Sequence, residues 1–371
     1  MRRCPHSRAI SAPSSRKEDS QGSVLPHTID LSFEYWRRVD AAGRESTARR
    51  LGKQLPSGFV FEAVRRFELG GARNEVAIFR QGTSLFALVP GGELTIGFDA
   101  ARWRPEREER ASWESSAEEY GLEGTIEEHV AEVTLRPRRI AHPPLLVETA
   151  ASEVGWETIS VDDPALDDPG FLEYLPQLGP GKTFKLCRGD STTRVRRTQD
   201  GTLIADRAVS STHADLATQL RSSGLRFPTS DEWEHLCGAG TATLFRWGDH
   251  VPCDRYPDCS PAESAWRREW VLSGGTLERP AGGFPPDLED HLRPNAWGLS
   301  IASNPYKYEL VAEPGTTRGG DGGCTICGGV GFFLGWLTLA TAYFAEHDCR
   351  HDPDEPVMAG YTVGRRVLEL S

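Results

Sequence analysis

Residues 224–249, GLRFPTSDEWEHLCGAGTATLFRWGD, constrain this chain more than any other stretch. Thr229 is a good helix N-cap, and Glu232 three residues later completes a capping box. Pro228 stands just before the cap, where its fixed φ is harmless. Asp231 and Glu232 fall in the first turn, where the helix dipole favours acids. Trp233 and Leu236 share the apolar face, which leaves Asp231 and Glu234 for water. Gly238 and Gly240 then end the helix. The local reading is a short packed helix and its exit loop, with Trp247 as a second aromatic anchor.

Around such a helix the chain has little other regular patterning. Its 38 glycines and 25 prolines favour a loop-rich, irregular α+β fold over a helical one. Ten tryptophans are large enough that most belong to the core or to site walls. With 371 residues the chain suits one large domain or two ordinary ones. Net charge is −12 and no basic patch follows the first twenty residues, so nucleic acid is not an expected partner. The polar N-terminus lacks the apolar core of a secretory signal. The longest apolar run, 330–345, is too short to cross a bilayer. The expectation is a cytoplasmic protein without a membrane partner, its eight cysteines kept as thiols.

In chain order, residues 1–28 read as a disordered tail. Leu31, Tyr35 and Val39 recur at helical spacing, predicting one helix over 31–54. Residues 59–79 read as a strand, or as a helix and a strand. LFALV (85–89) and ELTIG (93–97) read as two strands about the turn Pro90-Gly91-Gly92. The acid-rich segment 99–128 reads as a solvated loop or helix pair, not a core element. Val130, Val133 and Leu135 predict a strand over 129–140, and 148–153 a short helix. Residues 160–182 form a long loop, a candidate lid, and 187–207 are arginine-rich without a local signal. A helix is expected over 211–223, a strand over 336–345 and a final strand over 361–370.

Seven landmarks then fall in order: VPGGELTIG (89–97), EHVAEVTL (128–135), RFPTSDEWEHLCGAG (226–240), FRWGD (245–249), NAWGL (295–299), RGG (318–320) and YTVGRRV (361–367). The set resembles the formylglycine-generating enzyme family, also called the sulfatase-modifying factor family, over residues 85–370. The resemblance implies a variant of the C-type-lectin-like fold. It divides the chain into the tail 1–28, a helix-and-strand extension over 29–84 packed on the rest, and a main domain over 85–371. It gives scaffold roles to Thr229, Trp233, Trp247, Asn295, Gly319 and Gly320. The founding members oxidise a sulfatase cysteine with copper and oxygen, others are iron-dependent sulfoxide synthases, and others serve as ligand-binding modules, so fold does not decide function.

The copper-dependent members hold the metal between two cysteines five residues apart. RGGDGGC places Cys324 at the first position, but Gly329 stands at the second and Cys327 lies three residues on. Asp321 replaces the usual serine. Two thiolates at this spacing can grip copper or zinc, and C-x₂-C is also a redox dithiol signature. A zinc site needs further ligands, for which Cys349, His347 and His351 are nearest in sequence, and Cys253 and Cys259 are a separate candidate pair. His347-x₃-His351 reads as loop. The family's calcium-binding segment is matched by SIASNPYKYEL (300–310), where Asn304 persists and Lys307 stands near an acidic position and would repel calcium. Asp287, Glu289 and Asp290 are alternative calcium ligands. The first 85 residues carry only His6 and His27, so the three-histidine iron site of the sulfoxide synthases is absent. Two functions stay open. One is an oxidoreductase using Cys324 and Cys327 on a peptide or small thiol. The other is a catalytically silent module that binds a peptide, protein or small-molecule ligand.

Overall fold

A five-stranded antiparallel sheet divides two apolar cores. It runs β1 (Phe59–Leu69), β2 (Ala72–Gln81), β3 (Ser84–Val89), β6 (Leu145–Glu148), β15 (Val367–Glu369). Successive strand side chains point to opposite faces. Val76, Ile78, Val89, Val147 and Val367 therefore pack on one side with Trp233 and Leu236, and Ala77, Phe79, Phe86, Leu88 and Leu146 on the other with Trp36 and Leu51. Both faces are covered, which is why β3 and β6 read as continuous apolar runs rather than alternating ones.

The computed structural model describes residues 29–188, 191–280 and 289–370. The expected tail 1–28 lies outside them. The helix expected over 31–54 is two helices, α1 (Phe33–Arg38) and α2 (Ala41–Gly52). Asp40 breaks them by capping α2, accepting from the Gly43 amide at 2.8 Å. Residues 59–81, expected in an extension, supply β1 and β2 of the central sheet, and β2 continues into β3 through the Gln81–Ser84 pair.

A second sheet, β8 (Trp156–Ile159), β11 (Leu203–Ala208), β10 (Ser191–Arg197), β9 (Thr183–Arg188), lies over α5 (Pro169–Tyr174). Phe171, Val195 and Ala205 form its small core. Arg194 lies between buried Thr193 and Val195 and Arg196 follows Val195, and the two arginines share Asp206 at 2.9 and 3.2 Å. A third sheet, β13 (Thr317–Arg318), β12 (Tyr308–Leu310), β14 (Thr362–Gly364), β7 (Ser152–Glu153), contains a parallel pair between β12 and β14. The helix expected at 148–153 is thus strand on either side of a bend. β4 (Gly92–Ile96) pairs with β5 (Arg138–His142), so the turn at 90–92 joins strands of different sheets.

Three expectations fail around a further apolar core, which gathers Trp103, Trp113, Val130, Phe333 and Trp336. The strand expected over 129–140 begins as helix α4 (Ile126–Val133), because Thr125 and Glu128 form a capping box and Ile126, Val130 and Val133 share one buried face. The acid-rich 99–128 segment is a core element: α3 (Arg107–Tyr120) buries Trp113, and Trp103 stacks on Phe333 at 5.7 Å. Phe333 belongs to α10 (Phe332–Leu337), which runs into the 336–345 stretch expected as a strand, where only the isolated Thr134–Tyr343 bridge forms among the described residues. The remaining helices are α6 (His213–Ser222), α7 (Ser230–Gly238), α8 (Pro261–Leu272), α9 (Cys324–Gly328) and α11 (Glu346–Cys349). The whole is a mixed α+β fold of irregular, non-barrel sheets. Among the described residues no helix is long and apolar enough to cross a membrane.

Candidate functional site

α7 is the hub against which the candidate loop is built. Its capping box is closed: the Glu232 amide donates to Thr229 Oγ1 at 3.1 Å, and the Thr229 amide to Glu232 Oε2 at 2.7 Å. The helix ends differently from expectation, with Ala239 rather than a glycine in the left-handed conformation at φ 51°. Glu234 is buried, not solvated. It accepts from Arg318 and from Arg138, each at 3.0 Å. Burial of both partners makes the Arg318 pair one that cannot be broken on one side without stranding a charge.

That ion pair carries the glycine segment onto α7. Arg318 lies 5.2 Å over the Trp233 ring. Gly319 follows at φ +79°, and a Cβ there would stand 2.6 Å from the Trp233 ring. Gly320 passes so near the Lys307 carbonyl that a Cβ would meet it at 2.2 Å. Asn295 ties down the other end of α7. Its amide donates to the carbonyls of Leu236 and Cys237 at 2.7 and 3.0 Å, and its oxygen accepts from the amides of Trp297 and Leu299 at 3.0 and 3.1 Å. Trp247 stacks on Phe245 at 4.9 Å and meets Trp336 edge-on at 6.1 Å.

The segment delivers Cys324 and Cys327 on the single turn of α9, both exposed. Asp321 is buried and accepts from the Gly323 and Thr325 amides at 2.7 and 2.8 Å and from the Thr325 hydroxyl. The far end is held by Tyr120, whose hydroxyl donates to the Gly328 carbonyl at 3.1 Å. Gly323 has φ +81° and lies flat against Tyr306, where a Cβ would strike the ring at 2.1 Å. The Tyr306 hydroxyl donates to Asp258 at 3.4 Å and lies near the Cys327 thiol. Burial, then Asp258 and Cys327, push the Tyr306 phenol well up, so it stays protonated. Burial pushes the Cys324 thiol up as well, and the charges of Asp321 and Asp348 add to it. Cys324 is therefore not a pre-ionised nucleophile of the kind that a helix N-terminus or a neighbouring cation creates.

The other expected ligands lie apart. Cys349 is buried, with its thiol pushed up to about 11 by burial. His351 Nε2 bonds Thr317 Oγ1 at 3.0 Å, and exposed His347 meets Asp348 at 3.2 Å. His347 lies within α11 and His351 beyond it, so they share no helix face. Cys253 and Cys259 are free thiols with separate partners, the Val251 carbonyl and Asp258. Among the described residues no group of three or more His, Cys, Asp or Glu side chains is placed to hold a metal. Glu289 and Asp290 turn to Arg255 and Arg293, and Asp287 lies outside the described residues. Lys307 places its ammonium 2.5 Å from Glu153 and on the Gly360 carbonyl, so a fixed cation already serves those oxygens.

Tyr120 and Tyr306 were not expected at the thiol turn. They come from two separate segments, and no spacing in the sequence connects them. The chain matches no family model and no curated protein.

Proposed function

We propose that this chain is a divergent relative of the formylglycine-generating enzymes, with a C-type-lectin-like scaffold, whose Cys324–Cys327 turn is a soft-metal thiol site that oxidises a peptide or small thiol. The observation that carries the reading is the placement of both thiols, exposed, on one turn pinned by Asp321 and Tyr120. The donor set favours copper over zinc. Structural zinc takes four ligands and open zinc sites three from protein, and the described residues offer two. Cu(I) is selected by thiolates, and a two-thiol set fits it. When bound, Cu(I) would supply one-electron chemistry with oxygen.

The chain's own residues do the rest. Asp321 holds the turn so that Cys324 and Cys327 face outward together. The raised Cys324 favours the thiol in the free chain, and a bound metal would have to displace that proton. Tyr306 stays a donor beside Cys327. The alternative, a ligand-binding module without thiol chemistry, is favoured by the same raised Cys324. The test is metal content after purification under reducing conditions, with oxygen uptake on a cysteine-containing peptide. Copper and uptake that both vanish in Cys324→Ser/Cys327→Ser support the oxidase. Metal-free protein with no uptake leaves the binding module.

A further inference from the structure

A cavity of about 410 Å³ opens between β4, the end of α7 and the 295–299 segment, with none of its lining drawn from the thiol turn. Its volume falls in the range of small-molecule sites. One end is aromatic. The His142 and His235 rings stand 4.5 Å apart, and Trp297 meets His235 edge-on at 5.9 Å. Among the described residues, two buried polar atoms there lack a partner. His142 Nδ1 donates to the Pro143 carbonyl at 2.8 Å, which leaves its Nε2 as an acceptor. His235 is 8% exposed and its Nε2 has no hydrogen-bond partner, and Trp297 is 2% exposed with its Nε1–H equally unpartnered. Buried polar groups are ordinarily satisfied, so two orphans on one cavity wall point to a missing group. Burial pushes His142 down and His235 down to about 3, so both rings are neutral at physiological pH. Ala239, held left-handed at φ 51°, is part of the same wall, and such strain gathers at binding sites.

The other end is cationic. Arg37 and Arg73 are exposed at the mouth, and neither pairs with a carboxylate among the described residues. Both also line an adjoining cavity of about 650 Å³. The acids nearby are largely committed: Glu234 to Arg138 and Arg318, Asp290 to Arg293, Glu68 to Arg66 at 3.7 Å. Glu93 is the remaining negative group on the wall.

We propose that this cavity binds a small planar aromatic acid, its ring and a ring hydroxyl against His142, His235 and Trp297, and its carboxylate on Arg37 and Arg73. A hydroxyl both donates and accepts, so it is the group that can meet the unpartnered His235 Nε2 and accept from the Trp297 indole N–H. The proposal is independent of the thiol reading, and Cys324→Ser/Cys327→Ser protein should bind as the native chain does.

The test is a titration of the full chain with 4-hydroxybenzoate, followed by histidine ¹³Cε1–¹H signals and tryptophan fluorescence. The expected result is a saturable shift of two histidine signals at submillimolar ligand, with 4-hydroxybenzylamine giving none. Arg37→Ser/Arg73→Ser alters only exposed side chains and should weaken binding about tenfold or more. His235→Phe, if folded, should abolish it. No saturable shift, equal binding of the amine, or an unchanged constant in the double arginine variant would each overturn the assignment.

Discussion

Asn295→Ala tests how the fold holds its candidate loop. The native side chain is buried and uses all four of its hydrogen-bond positions, two on the last carbonyls of α7 and two on the amides of Trp297 and Leu299. Alanine leaves four main-chain groups without that partner. At a net worth of about 1 kcal/mol per bond the loss is about 4 kcal/mol. Unfolding entropy of about 2.1 cal/mol/K per residue, over a chain of this length, converts that to a fall in Tm of about 5 °C. Differential scanning calorimetry reads it directly. Asn295→Asp separates the two halves of the clamp. It keeps the acceptors for Trp297 and Leu299 but sets a buried carboxylate against two carbonyls, so it should be at least as damaging as alanine. A Tm change below about 1 °C for alanine, or an aspartate variant milder than alanine, would refute the reasoning.

Three further outcomes follow. Gly319→Ala drives a methyl to 2.6 Å from the Trp233 ring at φ +79°; overpacking and left-handed backbone together should cost about 2–4 kcal/mol in a urea titration. His235 is pushed from its ordinary 6.5 down to about 3 by burial. The folded value lies below the unfolded one, so the unfolded chain takes up the proton first. That contribution is whole above pH 6.5 and is lost as pH falls toward about 3. His235→Phe should therefore flatten the pH dependence of urea midpoints in that window, and parallel curves would contradict it. Cys324 should alkylate with iodoacetamide more slowly at mildly alkaline pH than a thiol of ordinary acidity. Asp348→Asn removes one of the charges that raise it and should speed the reaction, as read by peptide mapping.

What was legible in the sequence was what local chemistry decides. The caps at Thr229 and Thr212 lie within three residues of their partners, and both helices form behind them. The same signal stood at Thr125 and Glu128, but Val130, Val133 and Leu135 fit a strand's alternation well enough to mask it. Glu234 was assigned to water because Trp233 and Leu236 take the apolar face of α7. Its burial depends on Arg318 and Arg138, 84 and 96 residues away. The strands at 183–208 were hidden because arginine side chains answer a single buried Asp206 rather than a periodic apolar face. At the thiol turn the sequence supplied both cysteines and their spacing. Their shared exposure and the tyrosines beside them belong to packing between segments that no local pattern joins.

The central claim is that Cys324 and Cys327 act together as one soft-metal site. Anaerobic titration of the reduced chain with Cu(I) against a chromophoric chelator measures it most directly. The account predicts one tightly held Cu(I) per chain, lost in Cys324→Ser and in Cys327→Ser alike, with Cys187→Ser, which alters another exposed thiol, unchanged. Cu(I) retained in either single α9 variant, or no Cu(I) held against the chelator, would contradict it.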